Sequence, residues 1–276
     1  MTAWQSTGVQ RTTRLMWWFG AVSAVVSAGA VVQLIVLPTR TAELFAWTIA
    51  VPASAAFIGV FYLASAVMGV LALRQPVWAP ARVALVPVVL FVAVVLVVTL
   101  LHLGLFHLGT GGFPARAAAW VWLVVYVVTP VGYLFAFWHQ ARAPGGPPPR
   151  TQPLSAAARW GLTVLGLLLF AGGLALLVLP QAAGPLWPWP LTTLTAQMAG
   201  ATLLGFGLLA ASIVRLDDRV TGRIAALGVL VGAVAAFVVG LVSVYFTEPS
   251  AWVYLVVCVL LALAAAGPAR SAFATG

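Results

Sequence analysis

The sequence predicts an all-α polytopic membrane protein: eight transmembrane helices in two parallel, same-orientation four-helix repeats, with both termini cytoplasmic. Three observations lead there. Hydrophobic residues make up 63% of the 276-residue chain and charged residues 6%, against roughly 25% charged in a soluble domain. So few charges cannot cover a water-facing surface. The apolar runs are near the roughly 20 residues that carry a helix across a 30 Å hydrocarbon layer, and they lack the short alternation of barrel strands. Finally, AWVWLVVYVV at 119–128 returns as AWVYLVVCVL at 251–260, identical at seven of ten positions.

Taken in order, the spans fall at 15–37, 52–73, 83–106 and 117–138, then 160–179, 194–214, 223–246 and 251–266. Arg11 and Arg14 precede the first, and Ala28-Gly29-Ala30 inside it resembles a signal-peptidase site. The apolar run continues through VVQLIVLP, however, and its counterpart GLTVLGLLLFAGGLALLVLP (161–180) also ends in Leu-Pro, so a retained helix is expected. Pro87 and Pro130 mark local bends in spans three and four. Gly59, Ser65, Gly69, Gly200, Gly205 and Gly207 allow helices to approach closely in lipid. The lone Cys258 reads as a small core residue. ARAPGGPPPRTQP (141–153) has the composition of a stiff extended spacer, separating a first repeat (1–140) from a second (160–276) across the cytoplasmic linker 141–159.

Further echoes support the doubling. LFAW (44–47) corresponds to LWPW (186–189), each a few residues after a Leu-Pro. Gly59 aligns with Gly200, Leu63 with Leu204 and Arg74 with Arg215. Four spans per unit return the chain to the same side, so the copies should be related by a pseudo-twofold along the membrane normal.

All thirteen basic residues are Arg, and the net charge is +9. With the N-terminus in the cytoplasm, only Arg40 and Arg116 fall outside, a strong positive-inside bias for a bacterial cytoplasmic membrane. The arginines lie in short connections and at helix ends, with no compact basic surface carrying interleaved aromatics, so no nucleic-acid partner is expected. RLDDRVTGR (215–223) reads as a tight loop in which Asp217 and Asp218 offset the neighbouring arginines.

The middle third of every span lacks Asp, Glu, Lys and Arg, which argues against a proton- or sodium-coupled pump. Polar and aromatic residues gather instead at the outer face. Gln33, His107, Thr192, Thr195 and Glu248 lie there beside six candidate ligand-binding residues: Trp47, Trp187 and Trp189 as stacking walls, with Glu43, Gln197 and His102 as orienting groups. Two readings stay open, an interfacial belt or a shallow outward-facing vestibule between the repeats. Loop 180–192 carries no charge, and its WPWP suits a short re-entrant segment. His102 and His107 lie about 140° apart on a helix, and no catalytic motif, cofactor site or metal site is expected.

LFAWTIAVPASAAFIGVFYL, WPWPLTTLTAQMAGA and LLHLGLFH…AWVWLVVYVVTP resemble a group of uncharacterised multi-span membrane proteins of actinobacteria and related bacteria. The resemblance implies a shared architecture and supplies no activity or site residues. Three functions follow as expectations. The first is binding or passive translocation of a small apolar or amphipathic molecule or a lipid. The second is an accessory subunit that works against a membrane-protein partner. The third is an intramembrane lipid- or isoprenoid-modifying enzyme; a non-enzyme is the stronger expectation. Membrane lipids are partners in every case.

Overall fold

The structure is a computed structural model that describes residues 8–243 and 249–272. Eight helices are long and apolar enough to cross a membrane: α1 (Arg14–Val36), α2 (Pro52–Leu73), α3 (Trp78–Leu101), α4 (Phe113–Ala141), α5 (Ala156–Val178), α6 (Thr193–Leu216), α7 (Arg219–Ser243) and α8 (Pro249–Arg270). The chain is therefore a multi-pass membrane architecture. Glu248 and the expected end of span seven lie outside the described residues.

Several helices outrun their apolar stretches. α3 begins five residues before the expected Val83, and α4 continues to Ala141. Hydropathy detects only the part that needs lipid, whereas the backbone keeps its hydrogen bonds into the polar flanks. Pro87, Pro130 and Pro268 all sit inside helices. α1 passes through Ala28–Ala30 without a break and closes with a π-type turn at Val32–Val36.

The burial pattern separates an inner group from an outer one. In their most apolar stretches α2, α3, α6 and α7 are 61%, 50%, 61% and 61% buried, whereas α1, α4, α5 and α8 reach only 28%, 22%, 28% and 28%. The packing follows the same order: α1 lies on α2 as α5 lies on α6, α2 on α7 as α6 on α3, and α4 on α1 as α8 on α5. At the centre, Phe61 stacks against Phe91 and Phe206, and a methyl group added to Gly205 would come within 2.5 Å of the Phe61 ring. That part of the seam between residues 14–141 and 156–270 is filled.

Close packing of α5 on α6 relies on glycine. A Cβ at Gly173 would stand 2.7 Å from the Gly200 carbonyl oxygen, and one at Gly200 equally near that of Gly173. Lipid offers helices no hydrophobic drive to associate, so such backbone approach supplies the dispersion contact that replaces it.

One end of the bundle collects the arginine-rich connections. Gln10 bonds through its backbone to Gly146 and Trp78, and Gln140 accepts from the Thr13 amide while donating to the Arg11 carbonyl. The expected self-neutralising loop at 215–223 works differently. Asp217 pairs with Arg159 and accepts from the Leu154 amide. Asp218 is buried and accepts from the amides of Thr151, Gln152 and Thr221 and from the Thr221 hydroxyl. The two carboxylates thus anchor the 151–154 backbone, and Asp217, at a left-handed φ of 51°, closes the end of α6. Burial works to raise the Asp218 pKa, but these hydrogen bonds outweigh it and hold the carboxyl below its ordinary value.

Candidate functional site

The opposite end is rich in tryptophan. There the chain folds into two caps, Pro38–Ile49 and Pro180–Leu191, each beginning at the proline of a Leu-Pro pair. In the first, the Thr41 hydroxyl receives the Ile49 amide and donates to the Ile49 carbonyl, closing the cap on itself. His107 fastens it from outside. Its Nδ1 donates to the Phe45 carbonyl, and its Nε2 accepts from the Thr48 hydroxyl.

The six candidate residues lie in three places at this end. Trp47 is buried among Phe45, Phe106 and Trp122, inside the first cap. Glu43 is exposed and engaged by Arg40 at 2.7 Å. His102 and Gln197 meet where α3 ends against the first turns of α6. The imidazole Nε2 donates to Gln197 Oε1 at 2.6 Å, and the Gln197 amide nitrogen donates to the Leu177 carbonyl. That second bond fixes which amide atom faces His102, so Nε2 carries a proton and is not the free lone pair of a general base.

Trp187 and Trp189 form the third place. The Pro180–Leu186 segment makes a helical turn and then a 3₁₀ turn, after which WPWP returns towards the bundle. Trp189 is buried and donates to the Ser54 hydroxyl of α2 at 3.0 Å. Trp187 is half-buried and meets Phe57, Trp189 and Tyr254 edge-on. Below it opens a cavity of about 320 Å³, within the size range of small-molecule sites. Trp187 and Pro188 roof it. Leu203 and Phe206 of α6, Ala233 of α7, and Tyr254 and Val257 of α8 line its walls. Its rim includes Leu168, 57% exposed, and Val253, 63% exposed, so it opens sideways at a depth where the neighbouring surface is lipid-facing.

Sequence reasoning missed the walls supplied by α6, α7 and α8. A signal was present in the repeated decapeptide. Two of its three differing positions, Tyr254 for Trp122 and Cys258 for Tyr126, line cavities in their respective halves. Among the described residues, no group of three or more His, Cys, Asp or Glu could hold a metal ion. No protein-family model, curated protein or solved structure matches this chain.

Proposed function

We propose that this is a membrane protein that binds a small apolar or amphipathic molecule or a lipid chain in the groove beneath Trp187. The observation that carries the reading is the lateral, almost wholly apolar cavity of about 320 Å³ under an aromatic roof. A ligand arriving from the bilayer gains no hydrophobic free energy on entering, because lipid tails are as apolar as the groove. Affinity must come from shape and from ring contacts with Trp187 and Tyr254, each worth about 0.5–1.5 kcal/mol. A groove with rigid aromatic walls suits that requirement better than a flat helix face.

We also read the chain as a doubled four-helix unit, and the cavities support this. A groove of about 570 Å³ in the first half is lined by Leu44, Phe45, Tyr62, Trp122 and Val125. At the offsets of the sequence echoes these correspond to Leu186, Trp187, Leu203, Tyr254 and Val257, which line the second-half groove. The arginine distribution supports both termini being cytoplasmic. A second reading, the accessory subunit, draws on the filled centre between the halves.

Saturable binding of a photoactivatable long-chain probe to protein in lipid nanodiscs tests the first reading. Val257→Trp, which puts a ring into the groove from its open side, should abolish saturable labelling of the Trp187 roof and of the α8 wall. Undiminished saturable labelling there in a folded Val257→Trp protein would reject the site.

A further inference from the structure

The two grooves differ in one chemical respect. In the first half the apolar groove narrows where the Tyr62 and Tyr126 hydroxyls bond to one another. Beyond them lies a second cavity of about 70 Å³, sharing Val26, Tyr62, Val125 and Tyr126 with the groove above. Its walls carry Ser23, Ser27, Ser65 and Thr129 as well as the two tyrosines. Ser23 is bonded to Tyr133 at 2.8 Å. Among the described residues, the hydroxyls of Ser27, Ser65 and Thr129 have no hydrogen-bond partner. At the corresponding positions the second half has Leu169 for Ser27, Leu203 for Tyr62, Phe206 for Ser65, Cys258 for Tyr126 and Leu261 for Thr129. All five line its groove. One half therefore ends its groove in hydroxyls, and the other ends it in hydrocarbon and the single thiol of Cys258.

Such a cluster is costly in a helix bundle surrounded by lipid, where no water satisfies a stray hydroxyl. Seryl and threonyl groups in spanning helices often bond back to their own backbone. Here Thr202 in α6 does so, to the Met198 carbonyl. The three first-half hydroxyls, on residues that line the cavity, have no such bond. Among the described residues, no carboxylate, Lys or Arg lines this cavity or the groove above it, so a charged headgroup would find no counter-ion there.

Resting on the groove-binding reading above, we infer that the first half is a site for a neutral amphipath. Its apolar body lies in the groove between α1 and α4, and its single uncharged polar group, a hydroxyl or carbonyl, passes the Tyr62–Tyr126 pair to bond with Ser27, Ser65 and Thr129. The second-half groove accepts the hydrocarbon alone. The doubled unit thus carries two sites of different selectivity.

The test compares two probes of equal chain length, a long-chain primary alcohol and its methyl-terminated alkane, in saturable binding to full-length protein in nanodiscs. Wild type should prefer the alcohol by about tenfold, the scale of one or two buried hydrogen bonds. S27A/S65A/T129V, conservative in volume, should erase that preference. Tyr62→Phe with Tyr126→Phe provides a second variant if the triple one folds poorly, and should reduce the preference in the same direction. Equal binding of the two probes by wild type, as expected if the cavity holds only water, overturns the inference. So does a preference that survives in both variants. Failure of the groove reading itself looks different, because then neither probe binds saturably and Val257→Trp changes nothing.

Discussion

Trp187 and Trp189 stand two residues apart in the sequence but do different work. Trp189 is a structural member, buried, with its indole N–H on Ser54 across the boundary between the halves. Trp189→Ala should therefore cost on the order of 3 kcal/mol of stability, as large-to-small changes in packed cores do. The loss would register as a lowered thermal midpoint in detergent. Trp187 lines the cavity and keeps part of its ring exposed, so Trp187→Ala should weaken probe binding severalfold while moving the midpoint much less. Equal destabilisation by both changes would contradict this division. At the other end, Asp218 makes a pH-dependent contribution. Its folded pKa lies below the unfolded value of about 3.9. The stabilisation is present above that value and is lost as pH falls through the folded pKa. Asp218→Asn should remove the acid sensitivity of the 151–154 attachment, measured as hydrogen exchange at the Thr151 and Gln152 amides at pH 3 against pH 6.

Among the helices, α5 and α6 depend most visibly on single residues. Gly200 faces the Gly173 carbonyl so closely that any side chain must push the helices apart. Gly200→Val should unseat α5 and lower the yield of folded protein. Gly267→Ala, near the end of α8 with open space around it, should be neutral or slightly stabilising. Circular dichroism melts of the two variants check the contrast. The eight spans were legible because their signal is length and hydropathy, which need no neighbour to be read. Their ends were less so. Trp78 to Arg82 belongs to α3 because the polar flank keeps its helical hydrogen bonds, and hydropathy carries no record of that. The Asp217–Asp218 anchor was also hidden, since its partners are backbone amides some 60 residues away.

The whole molecule is an inner group of four helices, with two outer pairs that each leave a cavity open towards lipid. The sequence echoes at 44–47, 119–128, 186–189 and 251–260 were readable, since they need only comparison of the chain with itself. The placement of Trp47, Trp187, Trp189, His102 and His107 at one end was readable too. Their division into Trp47 in a packed cap, His102 locked to Gln197 and Trp187 over a groove was not, because it depends on rotations of helices that are apolar on every side. Hydroxyls such as Ser27 and Thr129 escaped for a related reason. A search for charges passes over them, and only the fold shows that their residues line one cavity. The most direct test of the central claim is to map where a photoactivatable acyl probe attaches in nanodiscs, with and without an excess of unlabelled competitor. The account predicts competitor-sensitive adducts on the 186–188 roof and the 250–261 face of α8, lost in Val257→Trp. Adducts spread evenly over the outer faces of α1, α4, α5 and α8, with none displaced by competitor, would contradict it.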